Sequence, residues 1–133
     1  QIGLLVLLDA YPETYGQMLA KVEEGLPLHV AEQEAFGANH AVIGAYLLGL
    51  WGFASPLVEA VAYAITPSAC PEHDNLVLTA LHAAMGLGPP LFLAPVEIQH
   101  PLSLDMGYLI EARKDGQVSQ WRRMAASLSA EGV

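Results

Sequence analysis

The chain has 133 residues, a length typical of one domain, and it carries a net charge of −9 with 53% hydrophobic but only 14% charged residues. No apolar run approaches the roughly 20 residues of a membrane-spanning helix, and the run from Leu4 to Leu8 lacks the basic flank of a signal peptide. So acidic a chain is poorly suited to nucleic acid, because that binding depends on Lys and Arg neutralising phosphates. The composition therefore predicts a protein that binds neither nucleic acid nor membranes.

The single cysteine, Cys70, excludes an internal disulfide and favours a reducing, cytoplasmic compartment. It adjoins Pro71 and has no neighbouring base, which is typical of a small loop residue rather than a nucleophile. The apolar excess predicts that the chain packs against something outside itself, and the apolar start at Gln1 to Gly3 resembles the middle of an element.

The first third of the chain predicts three helices. Residues 2–9 are uniformly apolar, as in the end of a buried helix. A second helix begins with Pro12 in its first turn and ends at Gly25, and a third runs from Pro27 or Leu28 to about Phe36. The second helix has an apolar face at i, i+3, i+4 and i+7, formed by Tyr15, Met18, Leu19 and Val22.

The stretch from Glu34 to Trp51, EAFGANHAVIGAYLLGLW, predicts a helix end, a tight break and a new helix. Gly37 suits the position after a helix, Asn39 suits an N-cap, and Gly44 lets another backbone approach. The new helix carries one stripe on the 3.6-residue period, which we interpret as the central packing seam of a bundle. The stripe consists of His40, Ile43, Gly44, Leu47, Leu48 and Trp51.

The remainder also favours helices. Ser55 caps a predicted helix that reaches about Ile65, and a connector leads to a helix over residues 72–85. Four prolines make residues 86–102 a loop, with a short extended piece around Leu91–Leu93 as the alternative. Ser103 caps a short helix to about Ala112. The last helix covers residues 117–128. Its apolar face consists of Val118, Trp121, Met124, Ala125 and Leu128. No alternating strand pattern occurs, so the predicted class is all-α.

Metal binding is the first chemistry to test, because the chain has five histidines: His29, His40, His73, His82 and His100. They form no pair with metal-ligand spacing on one helical face. His40 is a weak metal candidate, because it heads the apolar stripe. The competing interpretation is a buried histidine that hydrogen-bonds to the Glu34 end of the preceding helix. No nucleophile motif or phosphate-binding loop is present, so we predict no catalytic residue and no cofactor.

The spacing of Glu34, Gly37, His40, Gly44 and Trp51 closely resembles the signature of HDOD domains, bacterial signalling modules related to the HD-superfamily phosphohydrolases. Further segments along the chain are similar to the family. They include IGLLVL at residues 2–7, PLVEAVAY at 56–63 and DMGYL at 105–109, the last resembling the tail found when such domains follow a response-regulator receiver. The resemblance implies a helical bundle of the HD/HDOD type, with residues 1–133 forming its C-terminal portion, 103–133 the helical tail, and the first helices missing.

The departures concern the metal ligands that the HD superfamily uses, which are a His, a His-Asp doublet and a later Asp. Gln1 stands where the Asp of the doublet is expected. Ala64 and Ile65 replace two histidines that many HDOD sequences carry, and Leu81 stands where the later Asp is expected. Of the candidate ligands only His40 remains, whereas a catalytic metal needs about three protein ligands.

The resemblance therefore favours a non-enzymatic module that relays a regulatory input through contacts with receiver, kinase or cyclic-dinucleotide domains. The alternative is a metal-dependent phosphohydrolase of the HD superfamily, with further ligands in a missing N-terminal part. A third interpretation is a scaffold fragment that is stable only as a homodimer or against its missing half.

Overall fold

The computed structural model of the chain describes residues 2–88, 92–93, 96–97 and 102–131. Over these residues the fold is all-α, as predicted. The helices are α1 (Ile2–Ala10), α2 (Pro12–Glu23), α3 (Leu28–Phe36), α4 (His40–Leu50), α5 (Ser55–Tyr63), α6 (Leu76–Leu87), α7 (Met106–Glu111) and α8 (Val118–Ala130). Short 3-10 turns occupy Pro67–Ala69 and Asp115–Gln117.

One small hairpin interrupts the helical fold. Strand β1 (Phe92–Leu93) pairs antiparallel with β2 (Val96–Glu97), with Phe92 opposite Glu97 and Leu93 opposite Val96. The loop interpretation of this stretch is wrong for these four residues, and β1 falls within the short extended piece that was the alternative around Leu91–Leu93. Prolines bound each short run but do not interrupt it. The other residues between 89 and 101 lie outside the described part.

The first half of the bundle is built around α1 and α4. Helix α1 packs against α2 and α4, α2 packs against α3, and α4 packs against α5. The apolar face predicted for α2 points into the first core cluster, which confirms that prediction. The buried members of this cluster are Leu4, Leu7, Tyr15, Met18, Val22 and Ala31.

Helices α1 and α4 cross with their backbones in contact. A Cβ atom on Gly44 would lie 3.4 Å from the backbone nitrogen of Gly3, which confirms the close approach predicted at Gly44. Gly3 is the more demanding position. A Cβ atom there would overlap the carbonyl oxygen of His40 and lie 2.7 Å from the backbone nitrogen of Gly44. Any side chain at residue 3 would therefore force the two helices apart.

The second half of the bundle joins α5, α6, α7 and α8. Its core cluster is buried between these helices and the 3-10 turn at Pro67–Ala69. The buried members are Ala60, Cys70, Leu78, Tyr108, Leu109 and Val118. The Cys70 side chain is only 2% exposed, in agreement with the interpretation as a packed loop residue. The hydroxyls of Thr79 and Tyr108, 2.8 Å apart, share a hydrogen bond that links α6 to α7.

The break between α3 and α4 is as predicted. Gly37 follows α3 with φ of 75°, in the left-handed region that favours glycine. The Asn39 side-chain oxygen accepts hydrogen bonds from the backbone N–H groups of Ala41 and Val42, at 3.0 and 3.1 Å.

Three other predicted helix starts are wrong. Ala54 rather than Ser55 precedes α5, and no side chain caps that helix. Asp105, two residues after Ser103, caps α7, and α6 begins only after Asn75. Several residues suited to capping lie close together in these regions, and tertiary packing decides which of them begins the helix.

The central packing seam predicted for α4 is only partly correct. Gly44 is buried and Ile43, Leu47 and Leu48 are half-buried, but Trp51 is 59% exposed. The tryptophan follows the last helical residue, beyond the length over which α4 packs on its neighbours. The apolar face of α8 is likewise open at one end, with Met124 54% and Leu128 51% exposed.

Candidate functional site

A fully buried carboxylate, that of Glu32 on α3, forms the centre of a polar cluster between α2, α3 and α4. One of its oxygens accepts a hydrogen bond from the Tyr15 hydroxyl at 2.8 Å. The other oxygen accepts from the backbone N–H of His40 at 2.9 Å and lies 2.6 Å from His40 Nδ1. Because an ionised carboxylate can only accept, His40 Nδ1 carries a proton and donates it to Glu32.

The local chain geometry explains how a carboxylate is tolerated in the core. The left-handed turn at Gly37 reverses the chain, and Asn39 then begins α4 beside the end of α3. The first backbone N–H groups of a helix have no partner within it, and the helix dipole favours negative charge there. Glu32 satisfies the N–H of His40, the first residue of α4, and so lies where its charge is stabilised.

Two further titratable groups respond to this carboxylate. Burial raises the pKa of the Tyr15 hydroxyl, and the negative charge of Glu32 and their hydrogen bond raise it further. Burial also lowers the pKa of His29, an effect that the neighbouring His40 increases and that Glu32 opposes. Tyr15 is therefore a permanent donor to Glu32, and folding favours a neutral His29.

The residue that holds His40 differs from the predicted one. The Glu34 side chain is 55% exposed and its carboxylate lies 3.4 Å from Lys21 Nζ at the surface. The partner at this end of α3 is Glu32, on the helix face that also carries Leu28 and Ala31. Glu32 follows the buried Ala31 by one position and the half-buried Leu28 by four, and an acidic residue on such an apolar helix face is the sequence signal that could have identified it.

A second polar cluster surrounds His82, which is fully buried on α6. The backbone N–H of Asp105 donates to His82 Nε2 at 2.9 Å, so Nδ1 carries the ring proton and donates to the Ala64 carbonyl at 2.7 Å. Asp105 caps α7 and accepts from the Ser68 hydroxyl at 2.5 Å. Sequence reasoning missed this cluster, although His82 occupies the buried side of α6 beside Leu78 and Thr79.

The Asp105 carboxyl is stabilised in its charged form by these contacts. Burial alone would raise its pKa, but hydrogen bonds from Ser68 and from the backbone N–H of Tyr108 outweigh burial and lower it. The start of α7 is thus tied to both α6 and the 3-10 turn.

The described residues do not fit the metal site that the HD superfamily implies. Within residues 2–88, 92–93, 96–97 and 102–131, no three His, Cys, Asp or Glu side chains lie close enough to hold a metal ion. Both ring nitrogens of His82 are used inside the fold, and His73 lies 3.2 Å from Glu111 at the surface. His100 lies outside the described residues.

The short helices of the described residues define an all-α module. The model of the HDOD domain family matches residues 1–67, just over half of the 133-residue chain, and the chain belongs to that family. The match contains α1 to α5 and so includes Tyr15, Glu32 and His40.

A search of curated proteins found no match, and a search of solved structures found none either. None of the helices in the described part of the chain has the length and apolar character needed to cross a bilayer.

Proposed function

We propose that this HDOD chain is a non-enzymatic signal transduction module, acting in the cytoplasm, that relays a regulatory input through protein–protein contacts. The proposed partners are receiver, kinase or cyclic-dinucleotide domains. In this proposal residues 1–133 act as one HDOD-like unit, whose segment 103–133 is a helical tail.

The observation that carries the proposal is an apolar surface on α4. Val42, Tyr46 and Leu50 follow one another at i, i+4 and i+8 on the solvent side of this helix, and are 45%, 68% and 65% exposed. Leu5 on α1 is 55% exposed, and Trp51 and Phe53 extend the exposed apolar character past the end of α4. Contiguous exposed apolar surface marks interaction sites, because leaving it in water is unfavourable.

The chemistry of the described residues favours contact over hydrolysis. The positions where the family resemblance expects metal-binding His residues hold Ala64 and Ile65, which are 3% and 8% exposed and belong to the core. The imidazole of His40 is bound through Nδ1 to Glu32. The residues that the structure describes do not fit a metal ion, so the proposal includes no step that depends on one.

One observation favours the alternative, a metal-dependent phosphohydrolase with further ligands outside this chain. Metal-binding histidines commonly donate one ring N–H to a carboxylate, which orients the other nitrogen toward the metal. His40 has this arrangement with Glu32, and its side chain remains 13% exposed.

A hydrolysis assay separates the two functions. The full-length protein that contains this chain is incubated with nucleotides and cyclic dinucleotides in the presence of Mn²⁺ or Mg²⁺. The proposal predicts no turnover above the rate without protein, for both the parent protein and the His40→Ala variant. Metal-dependent turnover that disappears in His40→Ala would establish the phosphohydrolase instead.

A further inference from the structure

The imidazole of His82 connects the start of α7 to the rest of the bundle. This ring, on α6, is fully buried. Its Nδ1–H donates to the carbonyl of Ala64, the residue just past α5, and its Nε2 accepts the backbone N–H of Asp105, the residue just before α7. One neutral ring therefore links three helices, and each of its nitrogens already has a partner.

The hydrogen bonds of His82 leave no place for a second proton. A proton on Nε2 removes the lone pair that accepts from Asp105, and it brings two N–H groups face to face. It also puts a positive charge at a fully buried position, which is costly unless new hydrogen bonds compensate for it. The protonated ring is therefore incompatible with the contact that holds the start of α7.

The Asp105 carboxylate is the charged group that faces His82, and its attraction for an imidazolium opposes this effect. Its two oxygens already accept from the Ser68 hydroxyl and from the backbone N–H of Tyr108, so the carboxylate offsets only part of the cost. The Tyr108 ring stands nearly perpendicular to the imidazole, and its hydroxyl is bonded to Thr79. Charged residues on the other helices that pack against α6 make no hydrogen bond or ion pair with His82 in the part of the chain that the structure describes. They are Glu59 on α5 and Arg122 and Arg123 on α8.

Helices α7 and α8 can leave α6 without unfolding the rest of the bundle. Helix α7 packs chiefly on the two 3-10 turns and α8 chiefly on α6, whereas α1 to α5 are connected by contacts with one another. The apolar side of α8 is partly open, with Met124 and Leu128 more than half exposed. Because few buried contacts make local opening easy, α7 and α8 are the elements most readily released.

We propose that His82 is an acid-sensitive switch: the neutral ring holds α7 and α8 on α6, and its protonation releases them. An imidazole in water is half protonated at about pH 6.5. The released state therefore binds a proton below this pH and the docked state does not, so acid favours release. The inference goes beyond the proposed function, because it depends neither on the α4 surface nor on a partner.

Hydrogen exchange of the full chain, followed by mass spectrometry of peptides from each helix, measures the release. The protection of α7 and α8, corrected for the intrinsic exchange rate at each pH, should fall about tenfold between about pH 7.5 and 5.5. This factor is the one expected for a single imidazole that binds its proton only in the released state. At both pH values α7 and α8 should be less protected than α1 and α4, because the release is local.

Two substitutions assign the pH response to His82. In His82→Gln the new amide donates to Ala64 and accepts from Asp105 but does not titrate, so the fall in protection should shrink to less than about twofold. His73→Gln is the matched control. The His73 ring lies 6.2 Å from that of Tyr108, and protonated His73 attracts Glu111 at 3.2 Å, which does not favour release. This variant should keep the tenfold fall.

A measurement on the parent protein remains if His82→Gln does not fold. Two-bond ¹H–¹⁵N NMR spectra at pH 5.5 should show the docked His82 ring still neutral, with its proton on Nδ1. Four results would overturn the inference. They are unchanged protection of α7 and α8 on acidification, an equal fall in parent and His82→Gln, protection of α7 and α8 equal to that of α1 and α4, and an imidazolium spectrum for His82 while α7 and α8 stay protected.

Discussion

Replacing Glu32 by alanine tests whether the buried polar cluster holds α2, α3 and α4 together. The change removes the acceptor for the Tyr15 hydroxyl and for two N–H groups of His40. A buried donor without a partner costs about 1–3 kcal/mol. Tyr15 is 1% exposed and bears this cost in full, whereas the partly exposed His40 groups lie at the lower end. The free energy of unfolding should therefore fall by about 3–5 kcal/mol.

Urea denaturation, followed by circular dichroism at neutral pH, measures this loss from the midpoint at constant m-value. Glu32→Gln keeps an acceptor but loses the charge, and should cost about 1–2 kcal/mol because charge-assisted hydrogen bonds are roughly twice as strong as neutral ones. Glu34→Ala is the matched control on the same helix, and its exposed pair with Lys21 predicts a loss of less than about 1 kcal/mol. Equal losses for Glu32→Ala and Glu34→Ala would refute the structural role of Glu32.

Three further predictions concern stability. Gly3→Ala should destabilise the chain by about 1–3 kcal/mol, because the added methyl group meets the α4 backbone. The control Gly16→Ala on α2 meets nothing within 4 Å and should stabilise the chain by up to about 1 kcal/mol. A Gly3→Ala variant as stable as the parent would contradict the close crossing of α1 and α4. Trp51→Ala should change the free energy of unfolding by less than about 1 kcal/mol, since the ring is 59% exposed. A loss of about 3–5 kcal/mol would instead show that the ring lies in the core, as the apolar stripe of α4 predicted. Acidification should also destabilise the chain, because unfolded His29 binds a proton below about pH 6.5 while the folded state resists protonation. The stability that neutral His29 provides is complete above about pH 6.5 and is lost as the pH falls toward the lowered pKa. Between about pH 7.5 and 5.5, the urea midpoint should therefore fall less in His29→Gln than in the parent chain. Equal falls in the two proteins would contradict this assignment.

The sequence was sufficient to predict structure at positions where the local backbone conformation favours only a few residue types. Gly37 and Asn39 placed the break between α3 and α4 correctly, because a left-handed turn and an N-cap each favour few residue types. The face of α2 was also predictable, since a charged and an apolar side alternate with a clear helical period.

Burial was harder to predict in α4, which carries apolar residues on nearly every side. Its period cannot show which side faces the core, and the structure buries the small residues Ala41, Gly44 and Ala45 while leaving Tyr46 and Leu50 in solvent. Close helix packing through small side chains decided the outcome, and this depends on Gly3 in another helix.

The polar clusters depended on tertiary contacts that spacing does not reveal. The sequence identified His40 and the end of α3 that holds it, but not Glu32 as the residue or Tyr15 as the second donor, 17 positions earlier. His82 and Asp105 are 23 positions apart and meet only because α7 returns to pack against α6.

The response of the His40 ring to Zn²⁺ tests the central claim most directly, because the account makes this residue part of the fold and not a metal ligand. Two-bond ¹H–¹⁵N NMR correlation spectra of the full-length protein, recorded with and without Zn²⁺, report both ring nitrogens. The account predicts a proton on Nδ1, as the short contact with Glu32 requires, and Nε2 signals that do not change as Zn²⁺ is added. His82 provides an internal reference, since it has the same tautomer and is fully buried. A saturable Zn²⁺-dependent shift of His40 Nε2 at one metal per chain would contradict the account.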